Sequence, residues 1–245
     1  MSSKKDGASG SKKGSWLGSL TERDQLDFLC GMVARGDGRE VLNIVKKNPS
    51  LGKAKNQSGR ALIMEAIFYK DAEIAEQLIA FSDMGTHGCG KTPLMAAAQA
   101  HLFALALKML PESDARSKNA RGQTALHLAL EINFEARRVD AEQAERMIQE
   151  LALACGPSEQ SLAGWTALHC AVNAGCLAAV KILAPMTDLS LLAKNWLGDM
   201  ASAEQLASGP GRSLDILTAI VSAREAAELR EAIPSAPSKP APRRV

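Results

Sequence analysis

GWTALHCAVNAGCLAAVKIL, residues 164–183, holds two short apolar runs separated by a single glycine. Thr166 stands where a helix would begin, since its hydroxyl accepts from a first-turn N–H. The run A-L-H-C-A-V follows, and Gly175 then permits the positive φ of a tight turn. Beyond it, Val180, Ile182 and Leu183 give the second run an apolar face. Helices this short bury too little between themselves to stand alone. The stretch therefore reads as a helix–turn–helix unit that needs copies of itself.

The copies are present. NQSGRALIMEAI (56–67), HGCGKTPLMAAA (87–98), NARGQTALHLAL (119–130) and NWLGDMASAEQL (195–206) align with SLAGWTALHCAV (161–172), each with Gly at its fourth place. Two residues on stand Ala61, Thr92, Thr124, Thr166 and Met200, separated by 31, 32, 42 and 34 residues. The long interval has a local cause: the polar stretch FEARRVDAEQAE, an insertion at 134–145, delays the second apolar run MIQELALA. Upstream, LDFLCGMVARGDGREVLNIVKKNP (26–49) reads as a degenerate first unit, with Gly36 aligned to Gly175. Pro93 suits the first helical position, where its missing N–H costs nothing. Ala66, Ala97, Ala129 and Ala171 recur where adjacent helices must approach closely.

On GKTPLM (90–95), GQTALHLAL (122–130) and GWTALHCAVNAGCLAAVKIL (164–183), the chain resembles the ankyrin repeat. The resemblance implies an all-α solenoid of stacked helix–turn–helix units joined by short β-hairpin loops. It covers about six units over residues 21–225, the first and last degenerate. Ala61-Leu62-Ile63-Met64 and Met200-Ala201-Ser202-Ala203 depart from the T-P-L-H pattern. By the same resemblance His127 and His169 hydrogen-bond to turn groups, and a protein partner binds the concave groove made by hairpin tips and first-helix faces.

A competing motif lies inside the array. GTHGCGKT, Gly85–Thr92, matches the phosphate-binding G-x-x-x-x-G-K-[ST] letter for letter. That chemistry needs a buried strand before the loop and an acidic Mg²⁺ ligand on another strand. Here DAEIAEQLIAF (71–81) reads as a helix, and the period already supplies Gly90 and Thr92. A nucleotide hydrolase using Gly85–Thr92 is kept as an alternative function. No G-x-S-x-G, H-E-x-x-H or paired-carboxylate pattern is present, so no enzyme is expected. No cofactor is expected either, and His87 with Cys89 lacks a second pair to complete a metal site.

Composition agrees with closely packed helices: 46% of the 245 residues are hydrophobic, much of that Ala and Leu, but only 4% are aromatic. Net charge is +2, concentrated at the ends. Residues 1–20 hold Lys4, Lys5, Lys12 and Lys13 against Asp6, while 234–245 hold Lys239, Arg243 and Arg244 with no acid. Removing these from 29 bases and 27 acids leaves 22 and 26, about −4, a poor match for nucleic acid. Residues 1–20 read as a disordered basic tail and 226–245 as a terminal helix extension with a Pro-rich basic tail. Tethering to an anionic surface by these tails is a further alternative. No apolar run reaches membrane-spanning length, MSSKKDGASG has no apolar signal core, and five unpaired-looking cysteines point to a reducing, intracellular setting.

The function expected is therefore that of a monomeric, non-enzymatic scaffold or adaptor binding another protein. On the groove-facing helix positions fall Phe68, Tyr69, Gln99, Glu131 and Asn173; on hairpins fall Arg116, Lys118, Arg121, Trp165 and Trp196. Phe68 and Tyr69 are adjacent in a chain with only nine aromatics, and Trp, Tyr and Arg dominate interface hot spots. Trp165 also has an ordinary alternative, packing at its hairpin base. Arg116, Lys118 and Arg121 form a basic hairpin suited to an acidic segment. The insertion reads as a solvated helical extension, with a second contact site as the sharper possibility.

Overall fold

The computed structural model describes residues 20–88, 90–133, 135, 140–194 and 198–232. Its helices come in pairs. Thr21 Oγ1 accepts from Asp24 N at 3.3 Å and opens α1 (Glu22–Ala34). Gly36 then turns the chain into α2 (Gly38–Lys47), and the one-turn α3 (Ser50–Lys53) closes the unit. The second and third pairs are α4 (Leu62–Phe68) with α5 (Ala72–Leu78), and α6 (Pro93–Gln99) with α7 (Phe103–Met109). The fourth and fifth are α8 (Ala125–Ala129) with α9 (Ala141–Cys155), and α10 (Ala167–Ala174) with α11 (Leu177–Leu183). A two-stranded sheet, β1 (Leu192–Lys194) and β2 (Met200–Ser202), leads into α12 (Ala203–Ala207) and α13 (Leu214–Ala232).

First helices α1, α4, α6, α8, α10 and α12 pack as one row, and second helices α2, α5, α7, α9, α11 and α13 as another. The sequence period becomes the core directly. Five residues after each cap lies a buried alanine, Ala66, Ala97, Ala129 and Ala171, and two residues after it lies Ile63, Leu94, Leu126 or Leu168, at most 1% exposed. One continuous apolar core results, shared between neighbours.

Hairpins join the units by one turn repeated four times. In it Gly59, Gly90, Gly122 and Gly164 donate N–H to the carbonyls of Asn56, His87, Asn119 and Ser161 at 2.8–2.9 Å. Gly122 is demanded twice over: its φ is +72°, and a Cβ there would sit 2.8 Å from Leu162 N, which donates to the Arg121 carbonyl.

The last unit departs from the expected register. Met200 does not occupy the cap position; it lies in β2, and the cap of α12 is Ser202. Ser202 Oγ accepts from Gln205 N at 3.2 Å while Gln205 Oε1 accepts from Ser202 N at 2.8 Å. Ala207, five residues after Ser202, is buried in the alanine slot. Two additional residues separate Gly198 from its cap, and the strand pairing of Ala193 with Ala201 takes them up.

The insertion builds helix. Asp140 accepts from Glu142 N at 3.0 Å and starts α9, 15 residues long where α5, α7 and α11 have 7. Its added turns expose Glu142, Gln143, Glu145 and Arg146. The loop before it also reaches the next unit. Asn133 Nδ2 donates to the Gly175 carbonyl at 3.1 Å, and the Glu135 carboxylate accepts from Leu177 N and Ala178 N at 3.0 and 3.1 Å.

Candidate functional site

The face expected to bind a partner carries the ends of the first helices and the residue preceding each cap. Phe68 ends α4 and Tyr69 follows it; they are 68% and 48% exposed, with rings edge to face at 5.1 Å. Nothing in the core asks for two aromatics at this place, since Leu62 to Ile67 supply the buried part of α4 and both rings lie outside it.

Next to Phe68 lies an open cup of about 320 Å³. Its floor is Met64 and Ile67 of α4 and Ala96 and Ala100 of the third unit; Arg60, Lys91 and Gln99 complete the lining. The depression follows from the sequence of α6: Ala96 and Ala100 are four apart and so share a face, and both are truncated to a methyl. A second cup, about 510 Å³, lies between Leu130, Leu162, Trp165, Cys170 and Asn173.

A line of polar groups separates the two. Lys91 Nζ donates to Gln99 Oε1, Gln99 Nε2 donates to Glu131 Oε2 at 2.7 Å, and Gln123 Nε2 donates to Glu131 Oε1 at 3.1 Å. Arg121 reaches the same carboxylate at 4.0 Å. Gln99 and Glu131 are thus brought together from adjacent units.

The other expected contact residues are spent within the chain. Asn173 is held by Arg212, which donates to its Oδ1 at 2.9 Å, to its carbonyl at 2.7 Å and to the Val172 carbonyl at 3.2 Å. Arg116 Nε donates to the Ala154 carbonyl at 3.4 Å, and Lys118 pairs with Glu159 at 2.8 Å. That lysine holds the Glu159 carboxyl below its usual pKa, chiefly by hydrogen bonding. The basic hairpin is therefore tied to the following unit. Half-buried Trp165 donates Nε1–H to the Lys194 carbonyl at 2.7 Å, the hairpin-base role. Trp196 lies outside the described residues, as do residues 1–19 and 233–245.

His127, His169 and His87 are buried and serve the turns and caps of the array. His127 Nε2 faces the Trp165 carbonyl at 2.8 Å, so it carries the proton, and Nδ1 accepts from Thr124 N at 3.2 Å. Burial lowers the pKa of His127, of His169 and of His87, whose Nε2 meets the Asp83 carbonyl at 3.0 Å. Among the described residues no cluster of three His, Cys, Asp or Glu could hold a metal; Cys89 lies outside them. Burial pushes the thiols of Cys30, Cys170 and Cys176 up to about 12, so they stay protonated.

Around GTHGCGKT the element before the loop is α5 with a 3-10 turn, Ile79–Phe81. Thr92 is 2% exposed and its hydroxyl accepts from Met95 N at 3.2 Å, while Lys91 points into the groove. The hydroxyl that a phosphate site would use is committed to capping α6, and the amine is turned to Gln99 in the groove.

Sequence reasoning missed the cup and Arg212. The cup had a signal, the Arg60 and Lys91 that precede successive caps above a pair of alanines. Arg212 had none, because its partners are about 40 residues away.

Family models match at two places: ankyrin repeats in three copies over residues 62–139, and a single ankyrin repeat over 163–190. No curated protein matches the chain. Among solved structures, an ankyrin repeat domain from Acinetobacter baumannii AYE is similar at 22% identity and TM-score 0.64, covering 80% of this chain and 97% of that one. A second ankyrin repeat protein is 20% identical with TM-score 0.59, covering 80% and 96%. At such identities the likeness speaks for the fold alone. Among the described residues no helix is long and apolar enough to cross a membrane.

Proposed function

Since this chain is built of ankyrin repeats, generally protein–protein interaction modules, we propose that it is a monomeric, non-enzymatic adaptor that grips one protein partner along its concave face. The observation that carries the proposal is the exposed Phe68–Tyr69 pair beside an open apolar cup. Large aromatics left in water at a concave surface cost solubility and contribute binding energy once covered. Gln99 and Glu131 supply a polar strip beside that anchor, where hydrogen bonds select the partner rather than add raw affinity. The matched families are not catalytic ones, which supports a binding role. The acidic balance between the two basic ends argues against nucleic acid, and the setting proposed is intracellular.

The test is affinity capture from the native lysate with the full chain as bait, beside a Phe68→Ala/Tyr69→Ala variant of unchanged helicity. One protein retained in stoichiometric amount by the first and lost from the second is the expected result. Equal capture by both sinks the assignment to the Phe68 face. Capture of nothing by either sinks the adaptor itself.

A further inference from the structure

We propose that the cup between α4 and α6 receives one large apolar side chain flanked by acidic residues, so that the partner presents a short acidic–hydrophobic segment. The proposal rests on the adaptor reading above and names the chemistry of what that face grips.

The cup's volume, about 320 Å³, is at the small end of binding pockets and suits a single side chain rather than an extended ligand. Met64, Ile67, Ala96 and Ala100 offer no polar group to an entering side chain, and the exposed ring of Phe68 forms a wall against which an aromatic or branched aliphatic group packs.

Charge settles what must flank that side chain. Arg60 and Lys91 both line the cup, and no acid does. Lys91 is held by the amide oxygen of Gln99, a neutral acceptor that orients the ammonium without cancelling its charge. Arg60 lies 3.3 Å from Glu65, but the carboxylate is the hidden partner: its side chain is 10% exposed against 44% for the arginine. Glu65 therefore fixes the guanidinium from beneath and leaves its outer edge to solvent. Glu131, on the neighbouring unit, is already engaged by Gln99 and Gln123.

The pattern belongs to this place alone in the array. The slot preceding the cap holds Arg60 and Lys91 in units two and three, but Gln123 and Trp165 in units four and five. The paired cations thus coincide with the paired alanines. The chain's own ends, basic at both termini, carry the wrong sign to fill the site.

Three blocked tripeptides test the chemistry on the full-length, ¹⁵N-labelled chain: acetyl-Glu-Phe-Glu-amide, acetyl-Lys-Phe-Lys-amide and acetyl-Glu-Ala-Glu-amide. Amide shifts of Arg60, Lys91, Gln99 and Ala100 are followed to millimolar peptide. Glu-Phe-Glu is expected to shift these signals saturably and to bind at least about fivefold tighter than either control, the preference over Lys-Phe-Lys weakening as salt rises. Lys91→Glu, at the half-buried lining of the cup, should reverse the order of the two charged peptides while helicity is retained. Ala96→Leu should fill the cup and abolish the shifts while helicity is retained. Equal or tighter binding of Lys-Phe-Lys, no shift from Glu-Phe-Glu, or shifts that survive Ala96→Leu would each overturn the proposal. A captured protein lost on Phe68→Ala/Tyr69→Ala together with a failed tripeptide would leave the adaptor standing and remove only the acidic–hydrophobic assignment.

Discussion

At the junction of units four and five, His127 works in two directions. Its Nδ1 closes its own helix against Thr124, and its Nε2 ties that helix to the Trp165 carbonyl of the next hairpin. At the junction of units five and six, His169 repeats only the first half. Its Nδ1 meets Thr166 Oγ1 at 2.7 Å, but among the described residues its buried Nε2 makes no hydrogen bond of ordinary geometry, only a weaker interaction of the imidazole with the backbone of Ala201 and Leu191. The local half needs nothing but Thr and His three apart. The second half needs a well-placed carbonyl from the neighbour: Trp165, which precedes the cap Thr166, supplies one at 2.8 Å, whereas Ala201, which precedes the cap Ser202, comes near His169 without closing a hydrogen bond of ordinary geometry. One motif therefore gives different couplings along the stack, as expected where stability is a sum of unit and interface contributions.

The strongest way to break the contrast is to remove each imidazole. His127→Ala should cost about 3 kcal/mol, since it leaves the Trp165 carbonyl and Thr124 N–H unpaired in the core and opens a cavity. His169→Ala should cost about 1 kcal/mol less, because only the local half is lost. Urea unfolding followed by helicity decides it; equal losses would mean that the tie to Trp165 contributes nothing.

A second pair separates close approach from backbone conformation. Gly122→Ala meets both the positive φ and the 2.8 Å clash with Leu162 N, so a loss of about 2 kcal/mol is expected. At Gly175, φ is +73° but no atom lies within 4 Å of an added Cβ, and the loss should be about 1 kcal/mol. A Gly175→Ala change as costly as Gly122→Ala would show that the hairpin contact is softer than its geometry.

The same distinction explains how much was legible in the sequence. Whatever depends on residues a few places apart was readable: caps at Thr92, Thr124 and Thr166, the turn at Gly175, the buried alanines and hence the stacked fold. The Met200 alignment failed because Gly198 is a strong marker while Ser202, two residues late, is an equally good cap; only pairing in three dimensions decides between them. The site was half legible. Phe68 and Tyr69 are exposed as their register implies. The basic hairpin looked available because Glu159, which neutralises Lys118, is 41 residues away in the chain. The cup's only trace in the sequence is Arg60 and Lys91 before successive caps beside Ala96 and Ala100, and small residues at a surface become a depression only when a neighbour's side chain forms the wall.

Acid should affect both junctions, by less than the substitutions above. Burial lowers the pKa of His127 and of His169 in the folded state, so below about 6.5 the unfolded chain binds more protons. Stability is then complete above about pH 6.5 and falls as pH drops toward the folded-state values. Denaturant midpoints at pH 7.5 and 5.5 should differ, and His127→Gln should narrow the gap. A gap unaffected by that change would assign the acid sensitivity to His169 and His87.

The smallest effect is expected away from both junctions. Between α4 and α5 the turn residue is Lys70, at φ +59°, where the equivalent places in units one and five are Gly36 and Gly175. A lysine Cβ strains this left-handed conformation by about 1 kcal/mol, and glycine relieves the strain while giving back part of it as unfolded-chain entropy. Lys70→Gly should therefore stabilise the array by about 0.5 kcal/mol. Because units couple only to their neighbours, the same gain should appear in the His127→Ala background to within about 0.5 kcal/mol. A gain that vanished there would mean that units two and four unfold together, and that the array is more cooperative than its pairwise contacts imply.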